Sequence, residues 1–292
     1  MQAVRAHRLT APSFFGQKSQ AEFVFSRDAA GRTYLSRQFV PYPFHICRST
    51  YVEKDPPGMA TLYVQSCAAG LLQHDDLTTS LVVEEGAQVH FTTGAQTIVH
   101  SMDEGQARQE TRVEAFDRSL AEYMPEPLIL FPQARLRSSV RIVAHEGSSV
   151  IAGESFIVHD YGGGERMFDW FNSELLVERP SGELLARDRF HLEGAALKRG
   201  LPGVNGPFLA QGSLVILGAG EHPDSLVTAV RSALEPLTGV YAGASALRAG
   251  CGGAWVRILA SDGLALHTAM IEAWMTARTV LTGLKPTPRR KC

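Results

Sequence analysis

The sequence predicts a mainly β protein built of stacked β-sheets, with two amphipathic α-helices near the C-terminus. Apolar and polar residues alternate with a period of two through the middle of the chain, which is typical of half-buried strands. Turn-forming residues recur near positions 86, 118, 147 and 182, so about 30 residues separate successive turns. The segments between these turns are not alike in sequence. The pattern therefore indicates a β-meander or stacked strands, and not a sequence repeat.

A pair of strands is predicted around each of these turns. Leu77, Leu81 and Val83 alternate with polar neighbours, the glycine at position 86 breaks the run, and the alternation resumes at Val89. One buried face with a glycine in the turn predicts a β-hairpin. Three further hairpins are predicted in the same way: Thr111–Phe116 with Leu120–Met124, Leu136–Val143 with Val150–Ile157, and Leu175–Glu178 with Leu184–Leu192.

Two helices are predicted after residue 220. The first opens at His222-Pro223-Asp224, since proline and an acidic residue suit the first turn of a helix. The second runs from about Gly263 to Thr282, and Gly283 is a natural stop. Their apolar stripes are Leu226, Val227, Val230, Ala233, Leu234 and Leu237 in the first, and Leu266, Met270, Ile271, Trp274 and Leu281 in the second. We expect the Trp274 face to be partly exposed as a surface for partners.

Composition limits the functional class. With 292 residues, a net charge of −2 and no basic surplus, the chain is not expected to bind nucleic acid. It has no secretory signal and no run of about 18 apolar residues, so no membrane association is expected. Cys47, Cys67, Cys251 and Cys292 form no CxxC pair, which favours a reduced, cytoplasmic location. No linker divides the chain, so one domain over residues 1–292 is predicted, with flexible ends at the first 20 or so residues and the C-terminal tail.

The histidines and acidic residues suggest few preformed sites. His74, Asp75 and Asp76 are consecutive and could bind a metal ion, but adjacent side chains of a strand point to opposite faces, which favours a polar strand entry. The sequence has no HxxxH, HExxH or CxxC motif, so no strong metal site is expected.

Nucleotide-binding and hydrolase motifs are incomplete. Gly218-Ala219-Gly220 lacks the third glycine of a dinucleotide fingerprint, and Ser155 lacks the GxSxG elbow of a serine hydrolase. Glu126 stands between two prolines, which hold it on rigid, extended backbone. One alternative stays open at this point: a β-helical hydrolase of sugars or esters, using paired carboxylates from Asp75, Asp76, Glu126 and Glu154.

Several motifs in a fixed order carry a family resemblance over about residues 30–290. They are the segment Ala69–Asp75, the turn and strand Glu85–Thr93, the stretch Tyr123–Phe131, Gly153-Glu154, the segment Gly164–Phe168, the strand Val256–Leu259, the helix of Trp274 and the terminal Pro288-Arg289. In their order and spacing these motifs resemble the UreD (UreH) family of urease accessory proteins. The chain has Ile98, His100 and Ser101 where the family often has Lys, Tyr and Arg, and Ala69 and His74 where it has glycines.

This resemblance implies a β-helix-like body with two helices and a non-enzymatic role. It implies binding to a UreF-like protein and through it to a UreG-like GTPase, docking on apo-urease, and a dimer of such complexes. It also implies that nickel passes through the interior without a tightly bound cofactor, because a tight site would not release the ion. Transient nickel contacts are predicted at His74, Asp75 and His100, and Glu126 and Glu154 are family-motif positions. A structural partner-binding protein that never touches metal is a further alternative.

Overall fold

The computed structural model describes residues 16–53, 57–218, 220, 223–248 and 250–287. Within these ranges most of the chain forms two large β-sheets that face each other. The first sheet contains β1 (Lys18–Arg27), β2 (Thr33–Phe39), β5 (Asp76–Val83), β8 (Ala107–Ala115), β11 (Arg135–Ala144), β13 (Trp170–Glu178) and β14 (Leu184–Glu193). The second contains β3 (Phe44–Ile46), β4 (Ala60–Ser66), β6 (Gln88–Thr93), β9 (Leu120–Tyr123), β12 (Ser149–Val158), β15 (Ala210–Leu217), β16 (Val240–Ala246) and β17 (Gly253–Ala260). In addition, β10 (Leu128–Leu130) pairs with β12, and β7 (Thr97–Val99) pairs with β10.

The middle of the molecule is a β-helix. Each coil places one strand in the first sheet and one in the second, and the equivalent strand of the next coil pairs with it in parallel. In the first sheet Leu81 is in register with Val113, Val113 with Ile142, and Ile142 with Val177. The turn spacing in the sequence is therefore the length of one coil, and the predicted fold of stacked sheets is confirmed.

Three of the four predicted hairpins are wrong. The strands on either side of the turns near 86, 118 and 147 lie in different sheets and do not pair with each other. Gly86, at φ 69°, donates its N–H to the Asp117 carbonyl of the next coil at 3.0 Å, so the turns stack as the strands do. Because the chain crosses between the sheets, Val83 and Val89 enter one buried core from opposite sides. Only β13 and β14 form the predicted antiparallel hairpin.

Both predicted helices are present, as α2 (Pro223–Leu234) and α3 (Gly263–Thr282), and a short α1 (Gly194–Lys198) precedes them. The Asp262 carboxylate caps α3 by accepting the N–H groups of Leu264 and Ala265, each at 2.9 Å. Gly283, at φ 73°, ends it. His222, predicted to open α2, lies outside the described residues.

The apolar face of α3 is buried, so the predicted exposure of the Trp274 face is wrong. Trp274 has no exposed surface, because α2 and α3 cover the outer face of the second sheet, which is as apolar as its inner face. Sheet residues such as Ile216, Val256 and Ile258 pack there against Leu266 and Trp274.

The predicted flexible ends lie largely outside the described residues, as do Cys292 and Pro288-Arg289. Among the residues that are described, no helix is both long and apolar enough to cross a membrane.

Candidate functional site: the interior cavity

A cavity of about 470 Å³ lies inside the β-helix, between the two sheets. Thr79, Thr111 and Ser138 line it from the first sheet, and Tyr123 and Glu154 from the second. Exposed residues of segments 65–69 and 95–96 also line it, so the cavity opens to the surface beside the end of β4.

Short polar side chains at stacked positions leave this space open. Thr79 is in register with Thr111, and Ser138 is in register with Ser173, whereas neighbouring inward positions carry larger apolar residues. The Tyr123 hydroxyl is hydrogen-bonded to that of Thr111 at 3.0 Å. Burial, outweighing this hydrogen bond, and the nearby Glu154 carboxylate raise the pKa of Tyr123 to about 12. The tyrosine is therefore a neutral hydroxyl at physiological pH.

Glu154 of β12 contributes a carboxylate to the lining of the cavity. The Ser173 hydroxyl donates to its Oε1 at 2.5 Å and so joins the two sheets, while Oε2 is buried and has no hydrogen-bond partner among the described residues. Burial, reinforced by the charge of Asp188, raises the pKa of Glu154 to about 7 against the lowering effects of Ser173 and Arg257. A buried oxygen without a hydrogen-bond donor is costly, so the unpartnered Oε2 is an unusual feature of the described core.

An ion pair lies just beyond Glu154. Along the second sheet Glu154 is in register with Ser213, and Ser213 with Arg257. The Arg257 guanidinium donates through Nη2 to Asp188 Oδ2 of β14 at 2.5 Å, and both side chains are partly exposed. The Asp188–Arg257 pair therefore bridges the sheets between Glu154 and the solvent.

Glu126 stands between the cavity and α3. Its backbone N–H donates to Thr93 Oγ1 at 2.9 Å, and its Oε2 lies 3.7 Å from His267 Nδ1 of α3. It lines both the large cavity and a smaller space of about 30 Å³ under α3. The rigid position predicted from its flanking prolines thus places a carboxylate at a second boundary of the cavity.

His74, Asp75 and His100 have separate contacts in the fold. Asp75 is buried, and its two oxygens accept the N–H groups of Gln17 at 2.9 Å and Leu72 at 2.8 Å. His74 Nε2 lies 3.7 Å from Glu104, and His100 Nε2 lies 3.0 Å from the carbonyl of Ala69. No group of three or more His, Cys, Asp or Glu side chains in the described part of the chain has a geometry that could hold a metal ion. Transient nickel contact at these three positions stays a prediction.

The carboxylates of the hydrolase alternative are dispersed. Asp75 is occupied by backbone donors, and Asp76 lies on the outer face, 3.9 Å from Arg108. Glu126 and Glu154 both line the cavity, at different boundaries.

Sequence reasoning missed a buried charged cluster beneath α3. Arg278 binds Glu122 through Nε and through Nη2, the latter at 2.7 Å from Oε2, and its Nη1 lies 3.3 Å from Glu53. His90 Nδ1 lies 2.7 Å from the same Glu122 oxygen. One signal was available: Arg278 stands four residues after Trp274, within the apolar stripe of the helix, where a charged residue needs a buried partner.

Comparison with known proteins identifies the family of the chain. Residues 17–292 match the family model described as UreD urease accessory protein. Urease accessory protein UreD 1 of Pseudomonas syringae pv. syringae is 41% identical over 288 residues, covering 99% of this chain and 100% of that protein. UreD 1 of Methylorubrum populi is 39% identical, covering 94% and 92%, and UreD 2 of Streptomyces griseus is 30% identical, covering 88% of each chain. The chain therefore belongs to the UreD family of urease accessory proteins.

Proposed function

We propose that the chain is a non-catalytic scaffold in urease maturation and that its interior cavity is a path for nickel on its way to apo-urease. The observation that carries this proposal is the cavity itself. It opens at the surface beside β4, lies between the sheets and is lined by Glu154, whose carboxylate is influenced by the charges of the Asp188–Arg257 pair.

The residues that line the cavity suit transient contact with a nickel ion better than tight binding of it. The cavity offers carboxylate and hydroxyl oxygens, which a borderline ion such as nickel accepts, but the described residues supply no closed set of three ligands. Weak, sequential contacts allow an ion to enter and leave.

Family membership supports the proposed partners. The matched relatives are named urease accessory proteins, and a scaffold of this kind would bind a UreF-like protein, through it a UreG-like GTPase, and apo-urease, in a complex that forms dimers. Several large apolar side chains are exposed, among them Tyr241 at 70% and Leu264 at 77% exposure. They are candidate contacts for such partners. Assembly on urease would place the protein in the cytoplasm.

A cavity-filling substitution tests the path. Thr79→Phe places an aromatic ring in the cavity, whereas Thr78→Phe places the same ring on the opposite face of β5, outside the lining. In cells that carry the urease genes, Thr79→Phe should reduce urease activity and its nickel content, while Thr78→Phe should leave both near the wild-type level.

Complex formation separates blocked passage from failed assembly. Both variants should co-purify with the UreF-like and UreG-like proteins at wild-type yield. Normal urease activation by a folded Thr79→Phe protein would contradict the path, and failure of the wild-type chain to co-purify with these partners would contradict the scaffold.

A further inference from the structure

We propose that the interior cavity binds a small organic ammonium ion, with the ammonium group at the buried Oε2 of Glu154 and the hydrocarbon part against the rings of Phe156, Phe171 and Phe190. The inference goes beyond the proposed function, because it assigns the cavity a small-molecule ligand. It rests on two features of the lining that lie side by side: a wall of aromatic rings, and a carboxylate oxygen without a hydrogen-bond partner among the described residues.

Three phenylalanine rings form one wall of the cavity. Phe156 of β12 belongs to the second sheet, and Phe171 of β13 and Phe190 of β14 belong to the first. The ring centre of Phe171 lies 5.3 Å from that of Phe156 and 5.4 Å from that of Phe190, in edge-to-face contacts. Such rings offer a metal ion no ligand atom, but they offer an organic cation both hydrocarbon contact and the electrostatic attraction of a ring face.

The aromatic wall lies next to Glu154. Glu154 precedes Phe156 by two residues, so both side chains project from the same face of β12. From the opposite sheet, Ser173 donates to Glu154 Oε1 and is in register with Phe190. The carboxylate therefore has a fixed orientation beside the rings. Its Oε2 is buried and can accept a hydrogen bond from a ligand, which would supply the interaction that this oxygen loses on leaving water.

The charges around Glu154 favour a cation over an anion. Tyr123 faces it from β9 as a neutral hydroxyl, and the charges of Asp188 of β14 and Arg257 of β17 act on it together. The Arg257 guanidinium is hydrogen-bonded to Asp188, and Glu154 Oε2 accepts no hydrogen bond within the described structure. Among the described residues that line the cavity, none is a lysine or an arginine. An ammonium group would therefore add a charged hydrogen bond at Oε2 without displacing another cation.

The cavity has the size and the opening that such a ligand needs. Its volume of about 470 Å³ lies within the range of small-molecule sites, about 300–1,000 Å³, which are mostly apolar with a few polar groups that orient the ligand. Exposed residues of segments 65–69 and 95–96 line its mouth, so a ligand can enter from solvent. We therefore expect compact primary amines with a single ring or a short chain to fit.

Benzylammonium is a suitable probe, and benzyl alcohol is its control, because it has the same number of non-hydrogen atoms and no charge. In calorimetric titrations of the full chain at pH 8, benzylammonium should bind about tenfold more tightly, since a hydrogen bond between charged groups is stronger than a neutral one. Burial raises the pKa of Glu154 to about 7, so the carboxylate is mostly ionised at pH 8. The affinity for benzylammonium should fall as the pH is lowered to 6, because the protonated carboxyl has lost its charge.

Matched variants test the two parts of the site. Glu154→Gln keeps the size of the side chain and removes its charge, so it should weaken benzylammonium binding about tenfold and abolish the pH dependence. Glu174→Gln should bind as the wild type does, because Glu174 does not line the cavity and accepts a hydrogen bond from Arg187 at 2.8 Å. Phe190→Leu removes one ring of the wall and should weaken binding of both probes. Phe208→Leu removes a ring outside the cavity and should change neither affinity.

Crystals of the wild-type chain soaked with benzylammonium locate the ligand, so the test holds even if Glu154→Gln does not fold. The ligand nitrogen should lie about 2.7–2.9 Å from Glu154 Oε2, the length of a charged hydrogen bond, with its ring against the phenylalanine wall. Three results would overturn the inference: a wild-type chain that does not bind benzylammonium, equal affinities for the two probes, or benzylammonium binding that Glu154→Gln leaves unchanged. The proposed nickel path is tested separately by Thr79→Phe and does not depend on this outcome.

Discussion

Arg278 of α3 and Glu122 of β9 form a two-point ion pair in which neither side chain has exposed surface, although 156 residues separate them in the chain. The ion pair connects α3 to β9 of the β-helix. The Arg278 guanidinium also lies 5.5 Å from the centre of the Trp274 ring, so the helix is fixed by packing and by charge at the same place.

Glu122→Gln should destabilise the protein by up to about 3–5 kcal/mol, because the buried Arg278 loses the charge that binds it at two points and keeps the contact with Glu53. Urea unfolding followed by circular dichroism measures this loss. Glu122→Leu combined with Arg278→Met would also remove the counter-charge of the buried Glu53, so Glu53→Gln is added. This triple variant should cost less than Glu122→Gln alone, since no charge of the cluster then loses its partner. As a control, Glu114→Gln breaks a half-exposed contact with His145 and should cost under about 1 kcal/mol.

The same pair predicts acid sensitivity of the helix. Although burial alone would raise it, the charge of Arg278 with the hydrogen bonds from His90 and Arg278 lowers the pKa of Glu122 from 4.5 to about 2. A lowered pKa in the folded state contributes stability above pH 4.5 and loses it as the pH falls toward 2. The wild type should therefore lose more stability than Glu122→Gln over this interval, and a parallel decline in both proteins would contradict this role for the pair.

Glu154 predicts the opposite pH dependence. Burial raises its pKa from 4.5 to about 7, so its contribution to stability is fully present below pH 4.5 and is lost as the pH rises through 7. Glu154→Gln carries no charge at any pH and avoids this loss. Relative to the wild type, the variant should gain stability between pH 5 and pH 8, by at most about 3 kcal/mol, which is the free energy that this pKa difference represents.

Thermal melts of the wild type and Glu154→Gln at pH 5, 6, 7 and 8 measure this trend. Glu174→Gln is the control, because Glu174 of β13 does not line the cavity and accepts a hydrogen bond from the exposed Arg187 at 2.8 Å. The melting temperature of Glu154→Gln should rise relative to that of the wild type as the pH increases, whereas that of Glu174→Gln should follow the wild type. A constant offset across the series would mean that Glu154 is ionised throughout.

The coil length was readable from the sequence, but the pairing of its strands was not. Turns about 30 residues apart are compatible with hairpins and with a β-helix, since both place glycine between two alternating strands. In a hairpin Val83 and Val89 would belong to one sheet, whereas in the β-helix they face each other across a core. The local sequence pattern is the same in both folds. The helices were predictable in type and bounds because their apolar period and the stop at Gly283 are local signals.

The site was predicted only in part, for the same reason. Glu126 and Glu154 were noted as motif positions, but their place at a cavity depends on Thr79, Thr111 and Ser138, which are ordinary strand residues in the sequence. These three residues are recognised as a cavity lining only when the three coils that carry them are stacked.

Glu126→Ala should lower urease activation while the β-rich fold survives. The side chain lies at the boundary between the cavity and α3, near His267, and is about one-eighth exposed. Its loss should cost no more than about 1–3 kcal/mol, the range for unpairing a buried donor. Urease activity in cells and thermal melts of the purified chain are measured together. A large fall in melting temperature alongside lost activation would assign Glu126 a structural role instead.

The triple variant His74→Ala/Asp75→Ala/His100→Ala tests the nickel contacts predicted from the sequence. If these side chains meet nickel in transit, the wild type should show weak calorimetric binding that falls further in acid, because protons compete for imidazole nitrogen. The Asp75 substitution also removes two backbone-accepting bonds, so part of its effect should be a lower melting temperature. His74→Ala/His100→Ala, with Asp75 retained, separates the two effects: if it titrates as the wild type does and only the triple variant weakens, Asp75 acts through the fold. Identical titrations for all three proteins would remove these residues from the path and leave the interior cavity as the route to test.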